Sequence, residues 1–323
     1  MHSSHPLPKD PAPAGAVEFE YGRAFARNLG LVSEAEQARL RRTRVALPGL
    51  GAVGGGHLQA LARLGIGAFH LADPDTFEVA NIHRQLGASM ETLGRNKAES
   101  LAATAHSINP EIELKVFAEG LTRGNVAAFL AGVDVVVDGI DFFCLEEKRM
   151  LYRACRERGI PVVNAGPIGY GAALLVFLPD GISFDEYFRI EDSMTRAEQL
   201  LAHVLGLAPG MGSDVDPTRV NFEKQQGPAL ASACLLCAAL AATEALKLVT
   251  RRGTPAAAPN GVYFDPYRGR TVPLRPRPSL TRSLRGRVLR YAGFRRFPAL
   301  RAMHEREAAA RSLQAEPMVK MRI

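Results

Sequence analysis

The chain has 323 residues, of which 47% are hydrophobic, and this fits one large globular domain with appendages. Four cysteines and no uninterrupted apolar run of about 20 residues argue against a disulfide-rich secreted protein and against a membrane span. Residues 1–16 are rich in Pro, His and Ser and lack the apolar run of a signal peptide. We therefore expect a disordered N-terminus and a cytoplasmic protein.

The net charge of +7 is distributed unevenly. From residue 266 onward the chain has 15 of its 40 Lys and Arg residues but only three of its 33 Asp and Glu residues. This segment therefore carries +12 and the rest of the chain −5. A mildly acidic body with a strongly basic tail is predicted.

Strand and helix patterns alternate through the first half of the chain. Residues 18–40 have helical spacing that Gly30 interrupts. The patterns then predict strands at 44–47, 68–72, 112–118, 133–137 and 161–164, and helices at 57–64, 97–107, 125–130 and 145–158. This order is typical of a doubly wound, mostly parallel, Rossmann-like α/β sheet.

The pattern changes after Gly166. Residues 171–177 predict a strand that leaves the parallel register, and residues 184–227 form a long polar connection with one helical piece near 195–205. A strong helix at 230–249 and a hairpin at 261–274 follow. We therefore expect an antiparallel C-terminal extension of the sheet.

A glycine-rich loop follows the first predicted strand. Gly49, Gly51 and Gly54 would permit a tight turn and bring the backbone and a helix N-terminus close to a phosphate. Many proteins of this topology share the motif, so it does not define a function by itself. Asp73, 24 residues after Gly49 at the end of the second strand, could bind ribose hydroxyls or cap the following loop.

A set of phosphate ligands distinguishes this loop from that of a nicotinamide enzyme. The candidates are Asn81, Arg84, Gln85 and Lys97, although each alone could be a solvated surface residue. Activation of a carboxylate by ATP needs such cations and amides around the phosphates, together with a carboxylate for Mg²⁺. Asp141 follows the strand at 133–137 and is the candidate Mg²⁺ ligand, the alternative being a cap for the next helix.

These motifs together resemble the ThiF-like superfamily of ATP-dependent adenylyltransferases, which activate ubiquitin-like sulfur carriers and include, more distantly, ubiquitin-activating enzymes. The resemblance extends from about Tyr21 to Leu274. Its elements are Tyr21-Gly-Arg23, the glycine loop, Asp73-Pro-Asp75, Asn81-Ile-His-Arg84-Gln85, Gly94-Arg-Asn-Lys97, Ile108-Asn-Pro110 and Asp138-Gly-Ile-Asp141.

The resemblance implies a role for each matching residue. Asp73 would bind the ribose, Asp141 would hold Mg²⁺, and the phosphates would be held by Asn81, Arg84 and Lys97. Arg23 would be an arginine finger inserted into the neighbouring subunit's site, which implies a homodimer. The expected substrate is the carboxylate of a small ubiquitin-like protein or peptide, converted to an acyl-adenylate and pyrophosphate. We assign residues 17–274 to the adenylation domain, with a crossover loop at about 184–227, and residues 275–323 to a basic tail.

Some features depart from the family pattern. Cys234 and Cys237 are the only Cys-x-x-Cys pair and lie in an apolar helix, so we expect no zinc site. The crossover loop has no cysteine, which predicts activation without a thioester, and Cys144 is expected to pack rather than react. Phe142 stands where the family usually has Asn, which indicates a specialised substrate.

Three other interpretations remain open. A non-catalytic nucleotide-binding scaffold would fit the missing loop cysteine, and a nicotinamide oxidoreductase would fit the glycine loop alone. An adenylating enzyme acting on a tRNA-linked carboxylate would use the basic tail for RNA. That tail could also bind another anionic partner, dock on the acidic body or a dimer mate, or be disordered.

Overall fold

The computed structural model describes residues 18–208, 210 and 214–315. Their centre is a sheet of eight strands: β1 Arg44–Pro48, β2 Ala68–Ala72, β3 Glu113–Phe117, β4 Val135–Asp138, β5 Val162–Ile168, β6 Gly171–Phe177, β7 Gly261–Asp265 and β8 Arg270–Leu274. The strand order is β3-β2-β1-β4-β5-β6-β7-β8. The predicted disorder of residues 1–16 lies outside the described residues.

Helices cover both faces of this sheet. In chain order they are α1 Tyr21–Ala24, α2 Glu34–Arg42, α3 Gly54–Leu64, α4 Lys97–Ile108, α5 Val126–Phe129, α6 Leu145–Glu157, α7 Phe184–Phe188, α8 Arg196–Leu207, α9 Ala231–Thr250, α10 Leu284–Arg296 and α11 Pro298–Ala315. Short 3₁₀ turns occur at Ala26–Asn28, Val79–Asn81 and Pro217–Arg219.

The strands β1 to β5 are parallel, as the alternating pattern predicts. Side chains alternate between two hydrophobic clusters on opposite faces, so Ala46 packs in one while Val45 and Leu47 pack in the other. Since β1 lies between β2 and β4, the strand order reverses beside it. Ligands of open α/β sheets bind at such a reversal, outside the carboxyl ends of the strands.

The strands β6, β7 and β8 are antiparallel to their neighbours, which confirms the predicted change of register at Gly171. One detail of the prediction was wrong. β5 continues to Ile168, beyond the predicted end at residue 164, because β6 folds back and pairs with its whole length from Val162 to Ile168. Hydrogen bonds to β6 thus keep residues 165–168 extended, although their sequence shows no strand pattern.

The helix α9, predicted from the sequence at residues 230–249, is long and apolar enough to cross a membrane by length and composition. However, 56% of its most apolar window is buried inside the protein. The helix packs against α3, β5 and β6 and supplies Cys234, Cys237 and Ala241 to one hydrophobic cluster. We interpret α9 as a core helix.

The basic C-terminal segment forms α10 and α11, which pack on α8. Leu280, Phe294, Phe297 and Leu300 are buried there. Ion pairs add to this contact, including Arg290 Nη1 to Glu198 Oε1 at 2.6 Å. Of the arrangements left open for this segment, its described part therefore shows docking on the body of its own chain.

Candidate active site

The glycine loop between β1 and α3 is shaped by two close backbone contacts. Gly49 has φ +78°, and a Cβ on it would lie 2.4 Å from the carbonyl oxygen of Gly139. A Cβ on Gly54 would lie 1.9 Å from the carbonyl oxygen of Gly49. Neither position accepts a side chain, whereas a Cβ on Gly51 would meet only the Gln85 amide at 3.5 Å. The backbone of the loop therefore packs closely against the turn after β4, and α3 begins at the end of the loop.

Asp73 fixes this loop from the end of β2. It is buried, with Oδ2 accepting from the Leu50 N–H at 2.6 Å and Oδ1 accepting from the Asp75 N–H at 2.9 Å. Burial raises the pKa of Asp73, while the two backbone bonds and the charge of Lys97 act in the opposite direction. Each carboxylate oxygen keeps a second acceptor direction, so the contacts are compatible with both the ribose and the capping interpretations.

Asn81, Arg84 and Gln85 lie on one turn, because the Arg84 and Gln85 N–H groups both donate to the Asn81 carbonyl. The Asn81 side chain caps this turn by accepting from the Glu78 N–H at 3.1 Å. Arg84 Nη1 donates to the Ala80 carbonyl at 3.0 Å. Gln85 is buried, and its Oε1 has no hydrogen-bond partner. An orphaned buried polar atom beside the glycine loop fits a ligand site.

Lys97 begins α4, and its side chain is only 7% exposed. Its Nζ pairs with Asp75 Oδ2 at 2.9 Å, which holds the ammonium at the carboxyl end of β2. The Asn96 side chain accepts from the Glu99 N–H and caps the helix, so the local sequence fixes where Lys97 starts.

Asp141 lies in the turn between β4 and α6. Its Oδ1 accepts from the Phe143 N–H at 2.9 Å, and the residue remains exposed to solvent. Enough protein surrounds the carboxyl that desolvation raises its pKa, whereas the nearby charges of Lys148, Arg84 and Lys97 act to lower it. The fold therefore places Arg84 and Lys97 within electrostatic reach of Asp141, although they are 57 and 44 residues away in the chain.

Arg23 does not join this group within its own chain. Its side chain is 80% exposed and lies 3.9 Å from Glu20. Two residues earlier, the Tyr21 hydroxyl donates to the carbonyl of Gly65 at the C-terminal end of α3. The glycine loop lies at the other end of α3. This helix has 11 residues and is therefore about 16 Å long.

A buried polar network beneath the turn was not anticipated from the sequence. Asp138 accepts at Oδ2 from Lys148 Nζ at 2.7 Å, from the Tyr152 hydroxyl at 2.8 Å and from Asn164 Nδ2 at 3.2 Å. Its Oδ1 accepts from the Ile140 N–H at 2.9 Å. The available signal was the (i, i+4) spacing of Lys148 and Tyr152 on α6, whereas Asn164 is brought in by its register with Asp138 across β4 and β5. The network anchors the turn that carries Asp141.

Phe142 and Cys144 flank this turn. The Phe142 ring stacks on His203 of α8, with centroids 4.6 Å apart and planes at 6°. Burial, and next the charge of Asp141, raise the pKa of the Cys144 thiol to about 11. A thiol that is protonated at neutral pH is a poor nucleophile, as its predicted packing role requires.

Cys234 and Cys237 are buried in α9, and burial raises the pKa of both thiols. In the described part of the chain, no group of three or more His, Cys, Asp or Glu side chains could hold a metal ion.

The protein is doubly wound and has a crevice where the strand order reverses. This crevice is defined by the glycine loop after β1 and by carboxylates after β2 and β4. The chain belongs to the ThiF family, whose sequence profile matches residues 25–283. The superfamily resemblance drawn from the motifs is thereby confirmed.

Two curated relatives illustrate the range of this family. The SAMP-activating enzyme E1 of Haloferax volcanii is 32% identical over 175 residues, which cover 54% of this chain and 64% of the relative. The tRNA threonylcarbamoyladenosine dehydratase of Escherichia coli is 38% identical over 126 residues, 39% of this chain and 46% of the relative. The chain thus spans about half to two thirds of these relatives.

Among solved structures, the Escherichia coli MccB complex with ATP has a TM-score of 0.60 at 19% identity and covers 84% of this chain and 77% of MccB. At this identity the likeness concerns the fold.

Proposed function

We propose that this protein is an adenylyltransferase that uses ATP and Mg²⁺ to activate a carboxylate, the C-terminus of a small ubiquitin-like protein or peptide. The observation that carries the proposal is the placement of Asp141 within electrostatic reach of Arg84 and Lys97 at the carboxyl edge of the sheet. The comparisons support the proposal in two ways. The chain belongs to the ThiF family, and several of its relatives are named adenylyltransferases, among them the sulfur carrier protein ThiS adenylyltransferase of Escherichia coli.

The residues of the crevice fit ATP. Gly49 and Gly54 leave backbone where a side chain would block the approach of phosphates, and Gly51 faces the Gln85 amide, whose Oε1 lacks a partner. Asp73 would accept from the ribose hydroxyls. The triphosphate would be held by Asn81, Arg84 and Lys97.

The Asp141 carboxylate fits Mg²⁺, because it is exposed at the edge of the crevice and carboxylate oxygens are preferred ligands of this ion. When bound, Mg²⁺ would neutralise charge on the phosphate oxygens. Arg84 and Lys97 would stabilise the negative charge that develops as the carboxylate attacks the α-phosphorus and pyrophosphate leaves. The Asp138 network would hold Asp141 at a fixed distance from these cations.

Arg23 would complete the site of a second subunit in a homodimer. The support for this proposal is that Arg23 is exposed and lies at the end of α3 remote from its own crevice. The acyl group would pass from the adenylate directly to an external nucleophile, since the residues of the crossover segment 184–227 include no cysteine and the Cys144 thiol has a raised pKa.

The test is ATP–pyrophosphate exchange with a synthetic peptide ending in Gly-Gly as the carboxylate donor. We expect exchange with the free carboxylate and none with the C-terminal amide. Asp141→Asn and Arg84→Ala should each lower the rate by at least about 100-fold, whereas Arg63→Ala, on the exposed end of α3, should not change it. Full exchange in the Asp141→Asn variant would refute the role given to this residue.

A tRNA-linked carboxylate is the second candidate substrate, favoured by the relatives that are tRNA threonylcarbamoyladenosine dehydratases. In that case bulk tRNA would stimulate ATP turnover and the Gly-Gly peptide would not. Stimulation should weaken steeply with added salt, because phosphate contacts release counterions.

A further inference from the structure

The helix α10 carries an apolar stripe that faces solvent. Leu284, Val288 and Tyr291 are 74%, 61% and 70% exposed. Their i, i+4, i+7 spacing places them on one face, while Gly293 and Phe294 are buried on the other side. A contiguous exposed apolar stripe marks a surface that contacts another molecule.

The arginines around these helices form two sets with different roles. One set fastens the helices to acidic residues of the body through the pairs Arg282–Glu191, Arg290–Glu198 and Arg306–Glu223. The other set is Arg285, Arg287 and Arg295, whose side chains form no ion pair or hydrogen bond with any residue that the structure describes. These three are not needed to dock α10, yet they flank its apolar stripe.

A groove of about 470 Å³ lies between α10 and α11 on this side. Four arginines and one glutamate line it together with Tyr291 and Phe294. The glutamate, Glu305, is already paired with Arg301 at 2.8 Å. Since Arg290 and Arg301 are both paired with carboxylates, the positive charge of the groove comes from Arg287 and Arg295, with Tyr291 and Phe294 in the same lining.

The groove is connected to the candidate active site through α8. On that helix Thr195 contacts His304 of α11 at 2.9 Å, and His203 stacks on Phe142, the neighbour of Asp141. A second link is a chain of rings in which Phe222 contacts both Phe297 and Phe143. One layer of the protein thus separates the groove from the turn that carries Asp141.

We propose that the stripe and groove of α10 and α11 bind an acidic, partly apolar segment of the polypeptide whose carboxylate is activated. This inference rests on the proposed function and names a recognition site for its substrate. Guanidinium groups without partners select acidic side chains, and Leu284 and Val288 select apolar ones. A polypeptide offers both, whereas RNA offers phosphates and stacking bases, which match arginines and Tyr291 but not the aliphatic Leu284 and Val288.

The experiment measures fluorescence anisotropy of a fluorescein-labelled peptide of Glu-Leu-Glu-Ala repeats, about 16 residues and 24 Å long as a helix. The full chain is titrated without nucleotide. We expect saturable binding that is weakened about tenfold by Arg287→Ala/Arg295→Ala and by Leu284→Ser/Val288→Ser. A peptide with Ser in place of Leu should bind about tenfold more weakly. Arg63→Ala/Arg123→Ala removes the same charge from remote exposed positions and should not change binding.

Equal binding of the Leu and Ser peptides, or wild-type binding by both groove variants, would overturn the proposal. The proposal would also be overturned if a single-stranded RNA or phosphatidylglycerol vesicles bound more tightly than the peptide and both variants abolished that binding. The substituted side chains are exposed, so thermal melting should be unchanged. Asp141→Asn should leave peptide binding intact while abolishing exchange, so a failure of the groove and a failure of the adenylation site can be distinguished.

Discussion

A single buried histidine in the helix that follows the glycine loop is expected to make the fold sensitive to acid. His57 is fully buried in the first turn of α3, and neither ring nitrogen has a hydrogen-bond partner. Burial lowers its pKa to about 4, although Asp138 acts to raise it. Such a residue gives no sequence signal, since a histidine in an apolar helix looks the same whether or not it finds a partner in three dimensions. The candidate phosphate ligands could be proposed because their spacing is local, whereas the roles of His57 and Lys148 depend on contacts between distant elements.

His57 predicts a specific loss of stability in acid. Its folded pKa lies below the unfolded value of 6.5, so its contribution is present above about pH 6.5 and is lost as the pH falls towards 4. Between pH 7 and pH 5 the free energy of unfolding should fall by about 2 kcal/mol more in the wild type than in His57→Gln. Urea denaturation at both pH values measures this. Equal pH dependence of the two proteins would show that His57 is not held neutral.

At the scale of elements, the parallel strands β1 and β2 and the helix α4 were predicted to within one residue, because each has a complete local period and clear ends. Two kinds of element were missed. The helix α7 occupies five residues of a segment predicted as loop, and its only local signal is the capping box of Ser183 and Glu186. The helices α10 and α11 lay in a segment left open as disordered, because their apolar residues are interrupted by arginines whose partners are far away in the chain.

Docking of α10 and α11 should depend on buried Leu300 of α11. Leu300 has no exposed surface, so Leu300→Ala leaves a cavity and should weaken the contact with α8 by about 2–5 kcal/mol. Limited trypsin digestion should then cleave this arginine-rich segment faster while the remainder resists. Leu313→Ala, at a site 74% exposed on the same helix, is the control. Identical digestion of the two variants would contradict the described docking.

For the whole molecule, the central expectation is that a complete site needs two chains. Arg23 and Asp141 would come from different subunits. An Arg23→Ala protein and an Asp141→Asn protein should each lack exchange activity. Co-expressed with different tags, they should recover about a quarter of wild-type activity, because half of the dimers are mixed and each has one intact site. Purified mixed dimers without activity would exclude a shared site.

The most direct test of the account is calorimetric titration with ATP in the presence of Mg²⁺ and of a chelator. It needs no knowledge of the carboxylate substrate. We predict that Mg²⁺ tightens ATP binding to the wild type, that Asp141→Asn removes this dependence, and that NADH does not bind. The proposal that the crevice at Asp141, Arg84 and Lys97 is an adenylation site would be contradicted by either of two results. One is ATP binding that changes neither with Mg²⁺ nor with the substitution, and the other is tight binding of NADH in place of ATP.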